Sequence, residues 1–290
     1  MSRRLKLYAG LIVLSLFWGS NFLFTTILLD DFKVWFIVFL RCVIGMIGLF
    51  VVLILLKEKI RVELKHLILL ILAALIGGVL PWSMMTYSQK YLTSYQGGIL
   101  NATSPMWFLL ITFIFYKRKI NVYQFIGLLV GFIGLLFLFN DFTHNFNLLS
   151  IILALGAALL YSLTLIITNQ YMKQINSLVI SLYTLLFTAF ICGIISFIFE
   201  TNNFLLIFEV ENAISFFILG FFSSGIGYAL FFYLAKASDD GLASYVTYFI
   251  PIVALILGVL ILKEEITLKS IIGIVIVIFS IMLTEKSSSK

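Results

Sequence analysis

The chain has 290 residues, 62% of them hydrophobic and only 11% charged, with a net charge of +6 and a mean hydropathy of +1.17. A soluble domain carries about 25% charged residues and cannot bury all of its surface, so this composition excludes an ordinary soluble globule and points to lipid as the solvent. The basic residues stand in short clusters between apolar runs, which excludes a nucleic-acid-binding domain and fits the flanks of membrane helices.

A hydrocarbon core of about 30 Å needs about 20 apolar residues per helix. The first such run, 7–29, follows Arg3, Arg4 and Lys6. It is too long for a signal-peptide core and lacks a small-residue cleavage site, so it reads as a retained helix. Runs follow at 34–56, 67–88, 95–116, 122–139, 148–171, 177–199, 213–235, 242–262 and 268–284, ten in all, the fifth and tenth short. Of 19 Lys and Arg, fourteen fall at the termini and in one alternate set of loops, four in the other set, and Arg41 inside a span. The positive-inside rule then puts both termini in the cytoplasm of a multi-pass cell-membrane protein, which requires an even number of crossings. The longest loop is Glu200–Asn212, and the polar tail Ser287–Lys290 is expected to fray.

Shifting the chain by 146 residues aligns 80–137 with 226–283 without gaps. Tyr87 falls on Tyr233, Lys90 on Lys236, Pro105 on Pro251, Lys117 on Lys263 and Gly127 on Gly273. Apolar coincidences mean little in membrane helices, but two of three prolines and two lysine pairs at one offset mark a duplication. Residues 1–146 then hold helices one to five and 147–290 hold six to ten. Five is odd, so the halves insert in opposite directions. Inverted repeats of this kind build secondary transporters, with the substrate site near the midplane between the halves.

The run Leu16-Phe17-Trp18-Gly19-Ser20-Asn21-Phe22 resembles the opening helix of EamA-type proteins of the drug/metabolite transporter superfamily. So does Phe39-Leu40-Arg41, and Asn101-Ala102-Thr103-Ser104-Pro105 with Gly127 resembles the family's fourth and fifth helices. Pro251, Lys263-Glu264-Glu265-Ile266-Thr267 and Gly273 form the second-half counterpart. The resemblance covers essentially the whole chain. It implies an all-helical 5 + 5 inverted fold that moves small metabolites. Lys117-Arg118-Lys119 departs from it, because the first repeat usually carries an acidic residue there.

Several residues are candidates for a transport path. Pro105 and Pro251 are expected to kink helices four and nine and to release the carbonyls of Asn101 and Thr247 toward a midplane cavity. Trp18, Asn21 and Thr25 share one helix face, as do Tyr161, Thr164 and Thr168. Trp82, Tyr87, Ser224, Tyr228, Tyr245 and Tyr248 add aromatic and polar groups suited to metabolite recognition; each competes with plain packing or an interfacial position. Arg41 lies about 10 Å inside its helix at 1.5 Å per residue. A charge there suggests gating or anion attraction, with snorkelling to the surface as the alternative. The glycine pairs at 77–78, 97–98, 127–131 and 225–227 allow close helix packing.

Absences narrow the chemistry. No span carries a central Asp or Glu, which disfavours proton-coupled export of cations and favours neutral, zwitterionic or weakly anionic substrates, amino acids among them. His66 and His144 fall at loops, Cys42 and Cys192 inside apolar runs, and neither pair has metal or catalytic spacing. No phosphate loop is present. The reading is a cofactor-free carrier in the lipid bilayer, a monomer or homodimer, working by alternating access on a small-molecule substrate. A scaffold or receptor without transport is the competing class.

Overall fold

The computed structural model describes residues 3–58, 60–117, 119–139, 147–237 and 245–286, and every regular element among them is helical. The first two rods are α1 (Arg3–Asp31) and α2 (Val34–Leu55). The third begins with a 3-10 turn at Leu64–His66 and runs through α3 (Leu67–Ala74), a π-helical turn at Leu75–Val79 and α4 (Leu80–Ser88). Pro81 explains the turn: it has no N–H and its ring crowds the Gly77 carbonyl four residues back, a clash that the wider π turn relieves. Next come α5 (Ser94–Asn101), α6 (Ser104–Tyr116) and α7 (Val122–Phe139), then α8 (Leu148–Tyr171) and α9 (Ser177–Phe199). The next rod starts with α10 (Val210–Phe217) and passes through a π-helical segment (Ile218–Ile226) into α11 (Gly227–Ala237); α12 (Val246–Leu260) and α13 (Leu268–Lys286) complete the chain.

Among the described residues, seven helical stretches are long and apolar enough to cross a membrane: Leu5–Asp31, Val34–Leu55, Leu64–Ser88, Ser94–Tyr116, Leu148–Tyr171, Ser177–Phe199 and Val210–Ala235. Val122–Phe137, Val246–Leu260 and Leu268–Leu283 are apolar but shorter. Capping residues fix several starts. Thr93 and Gln96 form a reciprocal capping box at α5, and the Asn147 and Asn176 side chains accept N–H groups of α8 and α9.

The distribution of side chains is the reverse of a soluble protein's. Phe50, Phe113, Phe125, Phe190 and Phe279 face outward, whereas Ser15, Thr112 and Ser181 are buried. Those hydroxyls donate to carbonyls one turn back on their own helices at 2.7–3.0 Å, which satisfies them without water. The main packing pairs are α1 with α12, α2 with α9 and the π segment, α4 with α8, and α7 with α13. Each joins an element from the first half of the sequence to one from the second. At the α2 crossing, a side chain on Gly225 would strike the Gly45 carbonyl and the Gly48 Cα, so glycine is required there.

Several expectations are corrected. Pro105 does not kink a continuous helix: the chain breaks at Ala102 and Thr103, and Pro105 sits in the first turn of α6, where a missing N–H goes unnoticed. The Asn101 carbonyl accepts the Ser104 hydroxyl at 2.7 Å instead of facing a cavity. Pro251 lies inside α12. His66, in the 3-10 turn that opens the third rod, is buried, and the Gln174 amide donates to its Nε2 at 3.2 Å. Cys42 and Cys192 are both buried free thiols. Arg118, His144 and the tail Ser287–Lys290 lie outside the described residues.

Two local features recur at the 146-residue offset. Lys117, capping α6, and Lys263, three residues past the end of α12, both take a left-handed conformation, with φ of 52° and 58°, as does Lys57 after α2. The π turn at 75–79 maps onto 221–225, inside the second π segment.

Candidate functional site

A cavity of about 420 Å³ lies between α1, the π turn and α8 to one side and α9 and α11 to the other. Its inner end is walled by Trp18, Gly77, Tyr161 and Tyr228, and it runs outward past Thr164 and Thr168 to Asn169, Lys173 and Ser177 at the α8–α9 connection. Trp18 and Gly77 come from the first half of the sequence and the rest from the second.

The inner wall is held by backbone geometry. The Trp18 indole N–H donates to the Ser223 carbonyl at 3.2 Å, and the Ser223 hydroxyl returns a bond to the Phe17 carbonyl at 2.6 Å. These two bonds tie α1 to the π segment and set the Trp18 ring edge-on to Tyr228 at 6.1 Å and tilted against Phe231 at 5.2 Å. The Pro81-induced turn brings the Gly77 backbone against Thr164, so close that a side chain on Gly77 would collide with it. The Thr164 and Thr168 hydroxyls donate to Leu160 and Thr164 carbonyls at 2.9 Å, which leaves their lone pairs as acceptors. Among the lining residues the only ionised group is Lys173, at the mouth.

Arg41 lies outside the cavity lining, behind this wall. Its Nε and Nη2 both donate to Ser224 Oγ, at 3.2 and 2.9 Å, and its guanidinium sits 4.6 Å from the centre of the Trp82 ring. Ser224 precedes Tyr228 by one helical turn, and Tyr161 and Tyr228 are electrostatic neighbours of the charge. Arg41 is 8% exposed and Trp82 5%, so the side chain stays within the protein rather than snorkelling.

The sequence candidates therefore separate. Trp18, Tyr161, Thr164 and Tyr228 meet in the cavity wall, and Arg41 with Trp82 sits behind it. Asn21, one turn beyond Trp18, keeps a buried Oδ1 without a hydrogen-bond donor. Asn101, Thr247 and Tyr248 are not in the wall; the Tyr248 hydroxyl donates to the Ile281 carbonyl at 3.3 Å and packs α12 on α13. Tyr87 stacks near Lys90 and Tyr91 at the end of α4, and Tyr245 near Tyr248 at the start of α12, both outside the cavity. Ser181, Thr184, Asn169, Phe231 and Phe232 line it and were not singled out from sequence. Pro81 beside Gly77-Gly78, also not singled out, is a sequence signal that marks the position of the π turn in the wall.

The opposite end of the bundle is tied shut. Glu200, past the end of α9, accepts the Trp35 and Phe36 backbone N–H groups at 3.0 and 2.9 Å, at the start of α2. Asn202 accepts the Lys33 N–H at 3.0 Å, and Asn212 donates to Asp31 at 2.7 Å. Glu264, in the α12–α13 connection, accepts the Ser94 N–H at 2.6 Å at the start of α5. Burial pushes the Glu264 carboxyl above its ordinary range, against the opposing pull of the Ser94 and Tyr95 N–H groups. All of these bonds join one half of the sequence to the other.

Comparison with known proteins agrees with this arrangement. The chain is 26% identical over 288 residues to the uncharacterized transporter YoaV of Bacillus subtilis (strain 168), covering 98% of each chain. It is 31% identical over 193 residues to an uncharacterized transporter of Buchnera aphidicola subsp. Schizaphis graminum, covering 65% of this chain and 64% of that one. A solved crystal structure shares the fold with a TM-score of 0.71 over 97% of both chains, at 14% identity. The EamA-like transporter family matches the sequence twice, at residues 5–140 and 148–285, and the chain, a multi-pass membrane protein, belongs to that family.

Proposed function

We propose that the protein is a secondary transporter that exports a small neutral or zwitterionic metabolite, such as an amino acid, by alternating access. Ten crossings form two oppositely inserted units, 1–146 and 147–290, with both termini in the cytoplasm of the cell membrane. The observation that carries this reading is the cavity in the second half that reaches Trp18 and Gly77 of the first at its inner end, open beside Lys173, with bonds between the halves closing the opposite end of the bundle. The recurrence of the π turns and left-handed lysines at one offset supports the duplication, and the packing of each half on the other supports motion of one unit against the other.

On this topology the open mouth faces the cytoplasm, where a substrate for export would enter. Trp18, Tyr161, Tyr228 and Phe231 offer apolar faces, Thr164 and Thr168 offer acceptors, and the unpartnered Asn21 Oδ1 would accept an N–H from the substrate once the deep end opens. Arg41, Pro105 and Pro251 serve as gating and structural elements around the path. The protein works in the lipid bilayer as a monomer or homodimer and needs no cofactor.

Two measurements test this. Purified protein in liposomes should give saturable flux of labelled amino acids; absence of flux for amino acids, nucleobases and amphipathic metabolites alike would favour a scaffold or receptor. Membrane-impermeant thiol labelling of cysteines placed at the two termini should find both on the cytoplasmic side, and opposite sides would remove the inverted repeat.

A further inference from the structure

We propose that Arg41 is the carboxylate-recognising residue of the transport cavity, so that the substrate is a metabolite with a single acid group, which is drawn to the inner end between Tyr161 and Tyr228. This deepens the transporter reading and rests on it. A guanidinium taken out of water costs several kcal/mol unless a partner repays it. Among the described residues no carboxylate pairs with Arg41: its contacts are the Ser224 hydroxyl, the face of Trp82 and the neighbouring Tyr161 and Tyr228.

The donor geometry is specific. A guanidinium carries five N–H donors in a planar fork. Here one on Nε and one on Nη2 converge on Ser224 Oγ. The Ser224 hydroxyl spends its own proton on the Leu219 carbonyl at 3.0 Å, which turns its lone pairs toward the guanidinium. Ser224 thus fixes one edge of the fork and Trp82 one face. Three donors are uncommitted among the described residues, and two of them form the Nη1–Nη2 edge that a carboxylate engages through two parallel bonds. Tyr161 and Tyr228, which stand beside the charge, are also cavity wall. One buried cation, with no second one against it among the described residues, matches a monoanionic group better than a phosphate. Lys173 at the mouth supplies a first attraction.

The test uses full-length protein in liposomes and pairs labelled phenylalanine, leucine and their 2-oxo acids with the matching amides and amines. Wild type should move at least one acid saturably and prefer it over its amide by about tenfold or more, as expected for hydrogen bonds to a charged group. Arg41→Gln should abolish that preference, and Arg41→Lys should retain part of it. An undiminished acid preference in Arg41→Gln overturns the proposal, as does wild-type flux of amines or amides equal to that of the acids; in both cases the transporter reading survives. No flux of any compound, acid, amide or amine, removes the transporter reading and the proposal with it. Should Arg41→Gln fail to assemble, Ser224→Ala loosens the fork while keeping its charge. It should raise KM for the acid several-fold and leave KM for the amide unchanged; equal changes in both would overturn the assignment.

Discussion

Beside Lys173 the cavity mouth lies open between α8 and α9 of the second half, whereas at the opposite end Glu200, Asn202 and Glu264 of the second half hold backbone N–H groups of the first. Both ends are built from connections between helices, yet they differ in what satisfies the exposed helix starts. At the closed end the carboxylates meet helix N-termini rather than cations. Such contacts are worth up to about 2 kcal/mol each. A few of them hold one conformation over another by only a few kcal/mol, the gap expected between states that interconvert. Alternating access, as proposed, would require this closed end to release.

The largest effect is expected from making that closure permanent. Cysteines at Ser94 and Glu264, bridged by a short bis-thiol reagent, should abolish flux, and cleavage of the bridge should restore it; full flux in the bridged protein would mean that this end never opens. Next in size is the crossing of α2 over the π segment. Gly225→Leu forces a side chain into the Gly45 carbonyl and should cost about 1–3 kcal/mol, read as a lower melting temperature in detergent.

Glu264 separates charge from hydrogen bonding. Glu264→Ala removes the acceptor and leaves the Ser94 N–H exposed, so a thiol probe on the closed side should gain access by roughly fivefold, about 1 kcal/mol. Glu264→Gln keeps an acceptor without the buried charge and should leave that side closed or tighten it. The same logic fixes the pH response. Burial raises the Glu264 carboxyl above the ordinary value of 4.5 in the closed state, and water returns it to that value on opening. The closed state then binds the proton more tightly, so acidification from neutrality toward that range favours closure and a higher pH favours release. The nearby Lys263 ammonium donates to the Leu260 carbonyl at 2.9 Å. Access that rises on acidification would contradict this sign. The smallest effect belongs to Lys173→Gln at the mouth, which should slow uptake of acids a few-fold at low salt and little at high salt, since the side chain is exposed and screened.

The sequence by itself determined the solvent, the helical class, nearly every rod and the duplication. Apolar run length, charge placement and the paired prolines are local signals that lipid makes decisive, because an unpaired backbone group in hydrocarbon cannot be tolerated. It also brought forward Trp18, Tyr161, Thr164 and Tyr228, since aromatic and hydroxyl groups at helical spacing share a face. Only the tertiary structure decided which faces converge. Pro105 looked like Pro251 in one dimension, yet the preceding helix ends four residues before it, at Asn101, and a Ser104 hydroxyl takes up the Asn101 carbonyl. Pro81 made the break that shapes the cavity, and Arg41 turned inward onto Ser224, 183 residues away along the chain. Such pairings depend on how two units pack against each other, and residue spacing within one unit carries no record of it.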